Sequence, residues 1–253
     1  MTGPENRLIQ GRGTEETSWQ AWTGWSRADP VSCGDLVPEG ARLVVVAPHP
    51  DDEVLGAGGL ISLASRSGRQ VLVVGVTDGA ASHPGSSLWP ADELVDQRRF
   101  ERLAALTVLG LRPPLVVCLG FGDGRVADGI AELSRRLVRI IKATDVVVSP
   151  WHLDGHPDHE ATATAVADAT TVIGAQHLQS PIWGWHWASP DADDLPGHGS
   201  AVLALDEVTV KRKQRALECF TSQITEDPTT GAGPILPSWV LDRLTRNREL
   251  FLR

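Results

Sequence analysis

Residues 49–53 read "HPDDE" and put His49, Asp51, Asp52 and Glu53 directly after the apolar run "RLVVVA". About 110 residues further on, after "DVVVSP", the loop "HLDGHPDHE" adds His156, Asp158 and His159. Such side chains are costly to bury without partners. His49 and Asp52 are three apart, as are His156 and His159, and at a helix start this spacing turns two side chains to one side. Two imidazoles and one carboxylate form a common catalytic zinc donor set that leaves a position open for water. A metal there would lower the pKa of that water, and Asp51, beside a candidate ligand, is the natural base for its proton. A further histidine could stabilise an oxyanion or protonate a leaving group. One H-x-x-D on its own reads better as helix capping. Two dense clusters at the ends of two apolar strands favour a metal.

The elements that must carry these clusters alternate. "RLVVVA" (42–47), "QVLVVGVT" (70–77), "PLVVCLGF" and "DVVVSP" (145–150) have strand length and composition. Between and after them, 58–68, 91–110, "IAELSRRLVRIIKA" and "ATATAVADATTVI" have helical patterns. This rhythm predicts an α/β fold with a Rossmann-like, mostly parallel sheet and helices on both faces, in a single domain. In such a sheet ligands sit beyond the carboxyl ends of the strands, where both clusters fall. Strand order is not legible, so the adjacency of the clusters is an inference. Further on, "PIWGWHWA" and "AVLALD" read as strands, and 207–223 and 237–253 as helices. Residues 1–38 lack strand character and are expected as an N-terminal extension packed on the surface of a domain spanning 39–253.

Composition bounds the function. With 253 residues, 42% of them hydrophobic, the chain can bury a substantial core. A net charge of −9 argues against a nucleic-acid surface and against unassisted binding to an anionic membrane. No apolar stretch approaches the roughly 18 residues of a membrane span. The polar start does not read as a signal peptide. Cys33, Cys118 and Cys219 have no C-x-x-C pairing, and Cys118 reads as a small core residue. The expectation is a soluble cytoplasmic protein with free thiols; a homo-oligomer is compatible with these features.

"PHPDDEVLGAGG" followed by "DGHPDHEAT" resembles the zinc-dependent N-acetylglucosaminyl deacetylase superfamily, called PIG-L or LmbE-like. "TDG", the R-x-x-E-x-x-x-A-x-x-x-L-G pattern through Arg98, Glu101, Ala105, Leu109 and Gly110, "LGFGDG" and "ALECFTSQ" fit as well, so the resemblance runs from about residue 42 to 223. It implies that His49, Asp52 and His159 bind zinc, a site that iron or cobalt could also fill. It makes Asp51 the general base, and His156 the residue that holds the oxyanion or protonates the leaving amine. It has Asp158 orient a histidine behind the metal, and sets Arg98 and Asp123 on the substrate side. The implied substrate is a small N-acylated amino sugar or its conjugate, from which activated water removes an acetyl or other acyl group. An amidase acting on a larger thiol-sugar or natural-product conjugate is the alternative within this chemistry. A ligand-binding module without catalysis is the alternative outside it, and it would need neither Asp51 nor His156. One departure stands out: some members use an active-site tyrosine near the second motif, and this chain has no tyrosine. The metal and His156 must then carry that task, or Trp151 or His152 occupies the space. Phe220, where His or Tyr is common, is a smaller departure.

Other features have plainer readings. "GAGG" lacks the G-x-G-x-x-G spacing and the P-loop lysine, and is read as close helix packing. Trp183, Trp185 and Trp187 would share a face on a strand, covering core or offering a sugar platform, with His186 opposite as a candidate cleft wall. Trp19, Trp22 and Trp25 are expected to pin the N-terminal segment. "KRKQR" (211–215) is read as a solvated helix face, His83 as a cleft-rim residue and His198 as uncommitted.

Overall fold

The computed structural model describes residues 7–253. Its sheet has eight strands: β1 (Asp29–Val31), β2 (Leu43–Ala47), β3 (Val71–Thr77), β4 (Val116–Phe121), β5 (Val146–Pro150), β6 (Gln176–Ser180), β7 (Ser200–Ala204) and β8 (Arg248–Leu252). The helices are α1 (Glu16–Gln20), α2 (Gly24–Arg27), α3 (Cys33–Leu36), α4 (Asp52–Arg66), α5 (Ala91–Val108), α6 (Ile130–Ile140), α7 (Pro157–Ile173), α8 (Gly184–Trp187), α9 (Glu207–Leu217), α10 (Thr221–Ile224) and α11 (Ser238–Leu244). None is long and apolar enough to cross a membrane.

Valine-rich β2, β3 and β5 are buried along their whole length, as strands covered on both faces must be. Leu43 and Val45 of β2 join one core with Leu60, Ile61, Leu106 and Leu217, under α4, α5 and α9. Val44 and Val46 join the other with Leu133, Leu137 and Val166, under α6 and α7. Period-two alternation thus feeds both layers.

The strand order is β1-β7-β8-β6-β5-β2-β3-β4, all parallel except β8, which runs antiparallel to β6 and β7. From β2 the chain winds outward through β3 and β4, then returns to place β5 on the other side of β2. The winding reverses between β2 and β5, which pair directly through Leu43↔Val146 to Val45↔Val148. That reversal is where open α/β sheets leave a crevice for ligands.

Helix α4 starts at Asp52, earlier than its apolar pattern suggests, and breaks at Ala57 (φ −140°, ψ 17°). Near the break, the Gly59 and Leu60 N–H groups donate to the Glu249 carboxylate at 2.7 and 2.9 Å. Lys213 neutralises that buried carboxylate at 2.7 Å and donates to the Leu55 carbonyl at 2.9 Å. A Cβ on Gly59 would lie 2.6 Å from Leu205 and 2.9 Å from Glu249, so this glycine of "GAGG" serves close packing.

The last hundred residues depart most from the sequence reading. The stretch 183–187 is a short helical turn rather than a strand, so its tryptophans do not share one strand face. Residues 248–252 form strand β8 where a helix was expected, because "RELFL" fills the slot between β6 and β7. Before residue 39, β1 adds an edge strand and Trp19 and Trp22 enter the main core, so this segment is more than a surface wrap. Trp19, Trp22 and Trp25 cluster with Trp185, and Trp19 Nε1 donates to the Trp185 carbonyl at 2.8 Å. Cys118 is exposed, because β4 is an edge strand with much of its length open. Within "KRKQR", Lys213 turns inward to Glu249 while its neighbours stay outside.

Candidate active site

The HPDDE segment leaves β2 and bends sharply into α4. Asp51 takes the bend with φ 144° and ψ −31°, a conformation that side-chain-bearing residues rarely adopt. Such strain costs about 1–3 kcal/mol and persists where the surroundings over-determine it. Here the surroundings are tight. Arg98, from α5, donates to Asp51 Oδ2 at 3.0 Å and to the carbonyls of Pro50 and Gly79 at 2.9 and 3.0 Å. A Cβ on Gly79 would meet the Arg98 guanidinium at 2.0 Å, so only glycine fits there. Glu53 pairs with buried Arg102 at 3.1 Å.

Beside Asp51, three ligand atoms converge. Asp52 Oδ2 lies 3.1 Å from His49 Nδ1 and 3.2 Å from His159 Nε2. His49, Asp52 and His159 offer ligand atoms that all lie within 4.8 Å of one another, a group able to hold a metal ion. The donor set fits a divalent cation on its own chemistry. His159 Nε2 is buried and, despite its distance from Asp52, has no aligned hydrogen-bond partner. Its Nδ1 is 2.7 Å from Asp154 Oδ2, so the assigned tautomer carries the proton on Nδ1 and leaves the Nε2 lone pair facing Asp52. Burial opposes the charged imidazole of His159, yet Asp52 and Asp154 push its pKa up to about 9. Burial likewise opposes ionisation of Asp52, but the His159 and His49 imidazoles outweigh it and hold the carboxyl well below its usual range.

The second nitrogen of His49 faces the other loops. Nε2 lies 3.1 Å from Asp158 Oδ2 and 3.2 Å from Asp123 Oδ1. Asp158 is fixed by N–H donors from Gly124 and Val126 at 2.8 and 3.1 Å, and Asp123 by the Ala81 N–H at 2.7 Å. His49, Asp123 and Asp158 make a second group of metal-competent geometry around the same imidazole.

His156 caps α7, its Nδ1 accepting the Asp158 N–H at 3.2 Å. That leaves the neutral ring with its proton on Nε2. Burial, with the His159 and His49 rings, pulls the His156 pKa down to about 4, so the neutral form prevails near pH 7. Burial pushes the Asp51 carboxyl up to about 7, with Arg98 acting against the shift and Asp52 adding to it.

These residues open into one cavity of about 300 Å³. Asp51, Arg98, Asp123, His156 and Gln223 line it on the polar side, and Leu55, Trp183, Ile235 and Leu236 supply apolar wall. The structure therefore brings together His49, Asp51, Asp52, Arg98, Asp123, His156, Asp158 and His159. Arg98 has its guanidinium committed to Asp51 and main-chain carbonyls. Of the three clustered tryptophans only Trp183 reaches the cleft. Trp185 joins the N-terminal cluster and Trp187 stacks on Trp151 at 5.7 Å. His186 is turned away, bonded to Arg243 and the Gln10 carbonyl.

Asp154 went unassigned in the sequence. It is fully buried, holds His159, and accepts N–H bonds from Ile182, Trp183 and Gly184 at 2.8, 3.0 and 2.8 Å. The available signal was a carboxylate in the same loop, five residues before His159; Asp158, expected to orient a histidine, lies 3.1 Å from Nε2 of His49, and Asp154 does the same for His159. Glu101 also ties two weak motifs together, accepting from Thr221 and Ser222 at 2.8 and 2.7 Å and so docking α10, whose Gln223 faces the cleft.

A doubly wound α/β sheet with a His₂Asp cluster at its switch point defines an α/β protein with a metal-competent cleft. A family model described as PIG-L, GlcNAc-PI de-N-acetylase, matches residues 44–170, half of the chain, and the chain belongs to that family. The 1D-myo-inositol 2-acetamido-2-deoxy-alpha-D-glucopyranoside deacetylase of Mycolicibacterium gilvum (strain PYR-GCK) is 30% identical, the match covering 75% of this chain and 83% of the relative. The protein of the same name from Mycolicibacterium vanbaalenii is 29% identical with the same coverage of both. Among solved structures, the zinc inhibited form of teicoplanin deacetylase Orf2 superposes with a TM-score of 0.60 at 25% identity, over 73% of this chain and 85% of that one. The named relatives are deacetylases, hydrolases of a non-peptide C–N bond.

Proposed function

We propose that this chain is a metal-dependent N-deacylase that hydrolyses the amide of an N-acylated amino sugar or its conjugate. The observation that carries this is the convergence of His49 Nδ1, Asp52 Oδ2 and His159 Nε2 beside Asp51, at the mouths of two adjacent strands. A divalent ion held by those three residues, zinc by donor type with iron or cobalt as substitutes, would activate water and polarise the acyl carbonyl.

The chain's own residues do the rest. Asp51, with its carboxyl pushed up to about 7, takes a proton from the attacking water as the new C–O bond forms. Arg98 holds Asp51 Oδ2 through this step. The acyl oxygen gains negative charge, and neutral His156 donates its Nε2 proton in a hydrogen bond to it. The chain has no tyrosine, and His156 supplies that donor. When the C–N bond breaks, Asp51 returns its proton to the departing amine, and the carboxylic acid and free amino sugar leave. The unpaired thiols suit a reducing, cytoplasmic setting.

The test is acid release from N-acetylglucosaminides by metal-loaded wild type and Asp51→Asn. The expected result is release by wild type, lost on chelation and restored by metal, with Asp51→Asn keeping its metal and losing about 10²–10⁴-fold in kcat. Metal-loaded wild type that releases no acid from any of these amides contradicts the reading.

A further inference from the structure

The cleft is not uniformly polar. Alongside the charged groups its lining includes Leu55, Trp183, Ile235 and Leu236, and three of these are fixed through their main-chain N–H. The Trp183 N–H is held by Asp154 at 3.0 Å, the Leu236 N–H by the Gln223 carbonyl at 2.8 Å, and the Leu55 N–H by the Asp51 carbonyl at 2.9 Å. Ile235 is 37% exposed on the rim, with apolar surface left in water. A cavity of about 300 Å³ is at the small end of ligand pockets, enough for one sugar and a modest substituent.

We propose that the preferred substrate is an N-acylated amino sugar carrying an alkyl or aryl group, and that this group lies against Trp183, Ile235 and Leu236. The proposal rests on the deacylase reading above and narrows its substrate. A polyol such as inositol at that wall would set its hydroxyls against apolar carbon, where they lose water without gaining partners. The apolar group could be the aglycone or a longer acyl chain. Both present the same chemistry to the wall.

The experiment measures kcat/KM of the metal-loaded full chain on two series. One is methyl, butyl and octyl glycosides of N-acetylglucosamine; the other is N-acetyl-, N-butyryl- and N-octanoylglucosamine. In the series that reaches the wall, kcat/KM should climb about three- to fourfold for each methylene covered. The rising series shows which part of the substrate bears the group. Ile235→Asn should flatten that climb, whereas general damage to the fold would lower every member alike. Calorimetric binding of the alkyl glucosaminides, which need no turnover, reads the wall independently. If no amide is cleaved but affinity still tightens with chain length, the deacylase reading falls and the apolar wall stands. If both series and the affinities are flat, or if Ile235→Asn leaves the climb intact, the apolar-group proposal is overturned.

Discussion

The two ends of the cleft are built by different means. The charged end comes from loops after β2 and β5, adjacent strands in the most deeply buried part of the sheet. Its carboxylates and imidazoles face one another at 2.7–3.2 Å. The apolar end draws mostly on the less regular last hundred residues, with Trp183 beside a four-residue helix and Ile235 and Leu236 in a loop between α10 and α11. The sheet positions the charged groups, and the irregular part supplies most of the apolar wall. Asp154 is where the two ends meet: one carboxylate grips His159 on the charged side and the 182–184 backbone, with Trp183, on the other.

Breaking that joint should give the larger effect. Asp154→Asn keeps the shape but replaces the charged acceptor for the His159 Nδ1 proton, and should weaken metal affinity about 10–100-fold. Competition with a chelator measures it, and the melting temperature of the metal-stripped variant separates this loss from damage to the fold. An unchanged metal affinity would mean that Asp154 serves only the 182–184 backbone.

A smaller effect sharpens the contrast from outside the cleft. His177 on β6 sits against Ser149 at 2.8 Å, and burial, with His152 nearby, lowers its pKa to about 4. A histidine whose folded pKa lies below its ordinary value near 6.5 stabilises the fold fully above about pH 6.5 and loses that contribution as pH falls toward 4. With its partial exposure allowed for, about 1–2 kcal/mol is at stake. Denaturant unfolding of wild type and His177→Gln at pH 7.5 and 5 isolates it from the cleft histidines. The difference between the two proteins should shrink or reverse in favour of His177→Gln at the lower pH.

The charged end was legible in the sequence and the apolar end was not, for physical reasons. Strands covered on both faces must be continuous apolar runs, so β2 and β5 stand out, and the clusters follow them immediately. That β2 and β5 are neighbours is a matter of long-range pairing, which local pattern does not carry. Residues 183–187 alternate like a strand because each tryptophan serves a different neighbour, and "RELFL" reads as the end of a helix because a five-residue strand has too short a period to declare itself. Lys213 looked solvated because its partner, Glu249, lies 36 residues away. Asp154 was missed because a carboxylate that orients a ligand resembles any other loop aspartate until its bonds are seen.

The central claim is that two loops, 110 residues apart, build one metal centre. Elemental analysis of the protein reconstituted with zinc, as wild type, Asp52→Ala and His159→Ala, tests it most directly. The account predicts one tightly held ion per chain in wild type and its loss in each single variant, from either loop. If each variant keeps a tightly held ion, the two loops do not share a centre and the account is contradicted.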